Sequence, residues 1–506
     1  MLYSAAVVGL DAQPVEVEID LSSGLHCFNI VGLADKVVSE SKERVSSAIK
    51  NSGFTSPQHS RRRVIVNLAP AELKKQGPAY DLPIAVAFLS ALGEFNIKNS
   101  DKKLFIGELS LEGEVRKVNG VLPIALMAKQ RGFKRIFIPE ENIEEAALIK
   151  EIDVFPVKNL SQLIFHLKGD KKISRAQTVK IKNFPFDYNF NDMAYVKGQD
   201  NAKRALEIVA AGSHNIILHG PPGSGKTLLA KTLPSILPPL EEKDIFECTK
   251  IFSVANYLSS ERPLITHPPF RDPHHTSSVI SLIGGGSNIR PGEVTLAHRG
   301  VLFLDEMPEY QRSFLESLRQ PLEDNVITIA RASGSVAFPA KFILIGAMNP
   351  CPCGNLDDDY KECVCSPAQI SRYQRKISGP LLDRIDLHIK VPRVKTEELT
   401  KEHMGEPSEK IKERVVIARK RQKHRFLKEK NISLNSEMNL KQLKKYCFLN
   451  EECRQILKQA IGRFNLSARS YYRVIKLART IADLQNCENI ESGHLTEAVQ
   501  YRPQDV

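Results

Sequence analysis

Tryptophan is absent from this chain, and that absence excludes nothing. Other absences say more. No window approaches the roughly 18 consecutive apolar residues of a membrane-spanning helix, so no transmembrane segment is expected. The N-terminus, MLYSAAVVGLDAQPVEVEID, has no basic start, and its short apolar stretch runs straight into acidic residues. It reads as a folded strand and not as a signal peptide. A cytoplasmic location is therefore the expectation. In that reducing setting the nine cysteines are not a disulfide framework. Internal repeats and long low-complexity tracts are also lacking.

What is present is a chain of 506 residues, 42% apolar, which points to two to four ordinary domains. Lysine and arginine number 71 against 59 acidic residues, a net charge of +12. This balance favours polyanionic partners, nucleic acid first, although a merely soluble basic protein has the same composition. The run from Arg419 to Arg425 contributes to it.

Three parts and their joints are visible. Residues 1–168 alternate apolar strands (VEVEID, RRRVIVNL, KLFIGELSL, KRIFIPE) with helical stretches (SESKERVSSAIKNSG, LPIAVAFLSALG). A lysine-rich polar joint at 169–189 reads as a linker. From 190 to 395 strands and helices alternate again. NIILHG, GVLFLDE and KFILIGAMN are short, fully apolar runs, as buried parallel strands require. VITIARASGSVAFPA breaks at Ser333-Gly334 and reads as a β-hairpin. From 396 to 506 the pattern is helical, with KIKERVVIARKRQKHRFLKEK, SARSYYRVIKLARTIADL and ESGHLTEAVQ as helices.

Gly220, Pro221, Pro222, Gly223, Ser224, Gly225, Lys226 and Thr227 form GPPGSGKT, a full phosphate-loop motif between an apolar strand and a helix-forming run. Backbone N–H groups and the helix N-terminus cradle phosphates in such a loop. Lys226 is expected to reach the β- and γ-phosphates of ATP, and Thr227 to hold Mg²⁺. VLFLDE supplies the acidic pair: Asp305 for the Mg²⁺ shell and Glu306 to polarise the attacking water. Asn349, at the end of KFILIGAMN, is placed to position that water.

These motifs occur in the order of the AAA+ ATPases, and the module resembles their magnesium-chelatase-like group. The resemblance implies that Asn349 is sensor 1 and that Arg384, in LLDRID, is an arginine finger reaching a neighbour's γ-phosphate. It implies that Arg469, in LSARSYYRVIKLA, is sensor 2, with Arg473 as its competitor. An arginine finger acting in trans implies a ring, typically a hexamer. Longer strings, FRDPHHTSS, LIGGGSNIRPGEVTLAHRGVLFLDEMPE, LRQPLEDN and AMNPCPCG, resemble the ComM/YifB family almost end to end. That resemblance implies a branch-migration helicase acting on branched or single-stranded DNA in recombination and natural transformation. The adjacent His274 and His275 are left without an assigned role, a hydrogen-bonded loop being favoured over a metal site. SLIGGGSNIRPGE lacks Gly-Lys-Thr and is no second nucleotide site, but Arg290 within it is a candidate phosphate contact.

Cys351, Cys353, Cys363 and Cys365 read C-x-C and C-x-C, four thiolates suited to tetrahedral structural Zn²⁺. Separate cysteines and an iron–sulfur cluster are the alternatives. The N-terminal strings NLAPAELKKQGPAYDLPIAVAFL and IGELSLEGEVRKVNGVLPIALMAKQRGFKRIFIPEEN resemble the Lon-protease-type domain, a ribosomal-S5-type fold. The nucleophile position of that family falls on Ala79, and its lysine position on Gly120-Val121-Leu122. Both halves of the dyad are missing, so peptidase activity is excluded and assembly or nucleic-acid contact is expected. Arg61, Arg62 and Arg63 are equally readable as a phosphate contact or a solvated face. The expected architecture is thus α/β: a Lon-like domain, an AAA+ core with a parallel sheet, and a helical C-terminal lid. The rival readings are a magnesium-chelatase-type motor subunit acting on a protein partner, an ATP-dependent protease and a non-catalytic scaffold.

Overall fold

The computed structural model describes the chain except for residues 25–26, 34, 61, 178–191, 260, 287–288, 332–333, 357, 359, 395–396, 399–403, 431, 465–466 and 503–506. Arg61, the linker reading from 178 onward and the Ser333 tip of the hairpin lie outside the described residues. Packing divides the chain into two units. One is Met1–Phe184 together with Glu242–Ile265; the other is Pro185–Glu241 together with Thr266–Val506. Residues 242–265, expected within the 190–395 core, therefore belong with the N-terminal unit. Periodicity shows that such a segment is amphipathic but not which neighbour covers its apolar face.

In the first unit seven strands form one mixed sheet. Its order is Cys27–Val31, Arg62–Ala69, Asp11–Ser23, Leu2–Val8, Lys103–Phe105, Arg135–Pro139, Asp153–Val157. Alternation along the strands sends side chains to two apolar layers. Phe105, Phe137 and Phe155 sit in register on three neighbouring parallel strands and stack at 4.8 and 5.1 Å on one face. Their neighbours Leu104, Ile136 and Val154 face the opposite cluster. The helix Asp81–Ala91 is buried from Asp81 to Leu89, which is why its sequence is apolar all round. Asp81 is held in that core by Arg44 at 2.8 Å.

In the second unit five strands form a fully parallel sheet ordered Phe270–Arg271, Val301–Leu304, Ile343–Met348, Ile216–His219, Leu387–Lys390. Val301–Leu304 and Ile343–Met348 are buried at every residue, as continuous apolar strands in a parallel sheet should be. The first strand in sequence, Ile216–His219, lies between the fourth and the fifth. That reversal of strand order opens a crevice at the strands' carboxyl ends, where α/β sheets bind ligands. The hairpin pairs Val326–Arg331 with Gly334–Pro339. A second, two-residue ladder pairs Gly284–Gly285 with Arg290–Pro291 inside the glycine-rich stretch.

The C-terminal helices include Ser408–Arg425, Glu451–Phe464, Ala468–Leu484 and Ser492–Gln500. Leu477, Ala478, Ile481 and Leu495 join Ile216, Leu218 and Leu387 in one apolar cluster, so sheet and lid share a core. The basic run corrects one expectation. Arg419 donates to Ala210 O at 2.8 Å, Arg421 to Cys487 O at 3.5 Å, and Arg425 to Asp483 at 2.7 Å. These arginines hold the helical region together and are not a free face for nucleic acid.

Asp483 is fully buried and also receives Arg479 at 3.0 Å and Asn435 at 2.8 Å. Removing its charge leaves two guanidinium groups without their counter-charge. Asp483→Ala is expected to cost about 3–5 kcal/mol, read from urea unfolding; a loss under about 1 kcal/mol would show that the network does not support the fold.

Candidate nucleotide site

The strand Ile216–His219 delivers the chain to Gly220, where an added Cβ would lie 2.1 Å from Val391 O. No other residue fits there, and the loop is thereby held against the edge strand. The helix Lys226–Ile236 begins at the end of the loop. Lys226 Nζ donates to Gly220 O at 2.7 Å, Pro221 O at 2.9 Å and Asn349 Oδ1 at 3.2 Å, using all three of its hydrogens. Burial pushes its pKa down to about 8, with Asp305 and Glu306 pulling the other way. Thr227 Oγ1 donates to Asp305 Oδ2 at 2.7 Å, and the second Asp305 oxygen accepts from Glu306 N at 2.9 Å. Lys226, Thr227, Asp305 and Asn349 come from three adjacent strand ends and meet in one place.

Glu306 takes a left-handed backbone at φ +49°, a strained conformation for a non-glycine residue that is found disproportionately at functional positions. Its carboxylate lies 3.5 Å from His275 Nδ1. His274 stacks on His275 at 4.3 Å and bonds locally to Thr276 at 2.7 Å, the loop role expected for it. The His275–Glu306 contact was not legible in the sequence, nor was the contact of Lys231, on the helix Lys226–Ile236, with Asp272 at 3.4 Å. Burial raises the Asp272 pKa, and Lys231 opposes the rise.

The hydroxyl of Ser224, inside the phosphate loop, is buried without a hydrogen-bond partner among the described residues. An orphaned donor in a loop of backbone N–H groups fits a phosphate oxygen. Thr227 and Asp305 offer the hard oxygen atoms that Mg²⁺ prefers. The donor set therefore fits a nucleoside triphosphate with its metal.

Arg384 and Arg469 form a cluster of their own around Glu323. Arg384 Nη2 lies 2.6 Å from one Glu323 oxygen, and Arg469 Nη2 lies 3.7 Å from the other. Arg473 is 11% exposed, donates to Ile385 O and faces Asp383 at 3.5 Å, whereas Arg469 is 60% exposed. Arg473 is tied into packing; Arg469 is available to a ligand.

The four cysteine sulfurs gather within 4.8 Å of one another. Cys351 lies 3.4 Å from Cys353 and 3.6 Å from Cys363, and Cys353 lies 3.6 Å from Cys363. A tetrahedral zinc–thiolate site with bonds of about 2.3 Å has edges of about 3.8 Å, so the spacing fits. Backbone N–H groups, that of Asn355 first, pull the Cys353 thiol down to about 6. An added Cβ on Gly354 (φ +81°) would sit 2.5 Å from Pro222 Cδ, so the cysteine turn packs directly on the phosphate loop.

In the first unit the two positions expected to lack dyad residues have other uses. Ala79 packs on the apolar cluster of Val121, Leu122 and Ala125, and Gly120 N donates to Ser253 O at 3.2 Å.

Three family models match along the chain: "Subunit ChlI of Mg-chelatase" over residues 17–142, "Magnesium chelatase, subunit ChlI" over 192–399, and "Magnesium chelatase, subunit ChlI C-terminal" over 405–502. Competence protein ComM of Haemophilus influenzae is 39% identical over 99% of this chain and 97% of its own length. The uncharacterized protein YifB of Salmonella typhimurium is 38% identical over 100% of this chain and 97% of its own. The chain belongs to the ComM/YifB family of magnesium-chelatase-like proteins. A shorter match joins 31% of the chain to 20% of the Lon protease of Aster yellows witches'-broom phytoplasma, at 29% identity. The family implies ATP and Mg²⁺, in agreement with the donor set around Lys226 and Asp305. No described helix is long and apolar enough to cross a membrane.

The Lys226 environment sets a pH dependence. Its ammonium titrates near 8 instead of 10.5 because it is buried. A bound phosphate adds counter-charge and raises that value, so binding takes up a proton above about pH 8. ATP affinity is expected to fall as pH rises through about 8, with proton uptake visible as buffer-dependent heat in calorimetry. Constant affinity and no uptake across that range would contradict this assignment.

Proposed function

We propose that this ComM/YifB-family chain is an ATP-hydrolysing AAA+ ring motor that remodels DNA, as a branch-migration helicase in recombination and natural transformation. The observation that carries the ATPase reading is the convergence of Lys226, Thr227, Asp305 and Asn349, with Glu306 beside them. Lys226 holds phosphate charge. Thr227 and Asp305 would hold Mg²⁺, which supplies neutralisation of the phosphate oxygens. Glu306 takes the proton of the attacking water, and Asn349 orients that water and Lys226 together. Arg384 serves as the finger that a neighbouring subunit's γ-phosphate draws away from Glu323, and Arg469, on the same carboxylate, serves as sensor 2. This is the reason to read the active form as a ring, a hexamer by resemblance.

DNA is supported by charge and by shape. The net charge is +12. A cavity of about 720 Å³ is lined by Arg312, Arg372 and Arg375, with its one carboxylate, Glu309, paired to Lys376 at 2.9 Å. Guanidinium groups gathered in this way suit phosphodiester oxygens. The competence link comes from the name of the Haemophilus relative. The chelatase name of the family models favours the second reading, a motor subunit acting on a protein partner. The two diverge in one measurement: ATPase rate against single-stranded, duplex, forked and four-way DNA. Stimulation by branched or single-stranded DNA is expected, and Glu306→Gln is expected to lower kcat by about 10²-fold or more. Indifference to every DNA removes the DNA reading, and full activity in Glu306→Gln removes the assigned base.

We also infer that Cys351, Cys353, Cys363 and Cys365 hold one structural Zn²⁺ that braces the phosphate loop through Gly354 and Pro222. Purified protein is expected to carry about one zinc per chain. Removing it with a chelator, or by Cys351→Ser with Cys353→Ser, should lower thermal stability and weaken ATP binding. Metal analysis finding neither zinc nor iron would overturn the site.

A further inference from the structure

The segment Glu242–Ile265 stands in an unusual place in the chain. It follows the helix Lys226–Ile236, whose first residues serve the phosphates, and precedes Phe270–Arg271, which leads to Asp272 and His275. Both of its flanks are elements of the nucleotide site. Yet it packs as part of the N-terminal unit.

Its docking there is detailed. Phe246 and Leu264 join the cluster formed by Ala5, Leu104, Val121, Leu122 and Ala125. Ser253 Oγ donates to the buried carboxylate of Glu145 at 2.6 Å. Glu145 also accepts from Leu122 N at 3.3 Å and Asn142 Nδ2 at 2.5 Å. Gly120 N donates to Ser253 O at 3.2 Å, and Lys117 Nζ donates to Leu258 O at 2.6 Å. Lys250 pairs with Asp11 at 2.6 Å. The bonds around the buried Glu145 specify one pose, because any shift strands a buried polar group. The flanks also leave the second unit together: Leu240 N donates to Thr266 O at 3.0 Å. A paired tether into a packed socket transmits displacement, where a single flexible linker would absorb it.

We infer that the surface made by Lys117–Gly120, the helix Val121–Gln130 and Glu145 is a docking site whose partner is the chain's own segment 242–265. Through it, nucleotide binding at Lys226 and Asp305 changes the N-terminal unit. This rests on the nucleotide-site reading and extends it. The N-terminal unit then has a function that needs no peptidase chemistry. By linkage, whatever the N-terminal unit binds alters nucleotide affinity by the same factor.

The test is hydrogen exchange on the full chain carrying Glu306→Gln, with and without Mg-ATP, following the amides of 121–130. ATP is expected to change their protection. Adding Ser253→Ala with Lys117→Met should abolish that response while ATP affinity stays within about two-fold. Lys117→Met alone, which removes one partly exposed bond and spares the fold, should reduce the response in the same direction. Coupling is overturned if 121–130 ignore bound ATP, or if the docking variants respond as the parent does. A chain that binds no ATP overturns the nucleotide-site reading and the coupling with it, and calorimetry on the same samples separates the two failures.

Discussion

The hydrogen bond from Thr227 to Asp305, 2.7 Å long, joins residues 78 positions apart in the chain. It exists because the strands Ile216–His219 and Val301–Leu304 flank the strand Ile343–Met348 in one parallel sheet, so their carboxyl ends open onto a common crevice. The same order puts Asn349 between them, within 3.2 Å of Lys226. Sheet order is therefore the constraint on which the site depends. Each strand is buried on both faces, and that burial, worth roughly 25 cal/mol per Å² of apolar surface, holds the polar ends in place.

How much of this was legible in the sequence follows from the range of each interaction. GPPGSGKT and VLFLDE are local strings, and each carries its strand and its turn with it. The hairpin near 323–340 and the helices at 36–51 and 468–484 were equally local. His275 beside Glu306 was not, because the contact depends on the strand Phe270–Arg271 pairing with Val301–Leu304. Glu323 was not, because one carboxylate meets two arginines distant in sequence, Arg384 in the turn after the helix Gly379–Leu382 and Arg469 in the helix Ala468–Leu484. The arginines of 419–425 read as part of a basic balance favouring nucleic acid because composition counts charges without seeing acceptors. In the fold those acceptors are the backbone of Ala210 and Cys487 and the carboxylate of Asp483.

That last difference changes where nucleic acid is to be sought. Net charge belongs to the whole chain, but only cations without an internal partner are free to meet phosphates. The arginines of the helix Ser408–Arg425 are committed, Arg414 included, which bonds Glu207 and Glu406. Arg312, Arg372 and Arg375 line an open cavity with one carboxylate among them. A helix can thus be the most basic stretch of the sequence and still have its arginines committed to internal partners, while three arginines scattered over 312–375 line one open cavity.

The assignment of 242–265 to the N-terminal unit bears on what that unit does where the sequence lacks a peptidase dyad. A catalytic cleft needs an open approach for substrate. Here Gly120, where the peptidase lysine is expected, donates its N–H to Ser253, and the helix after it packs beneath Phe246 and Leu264. A surface occupied by the chain's own segment leaves no open approach to that position. The insertion also accounts for the length of chain between Thr227 and Asp305. Those residues leave the nucleotide site, enter the other unit and return as the strand that carries His275 to Glu306.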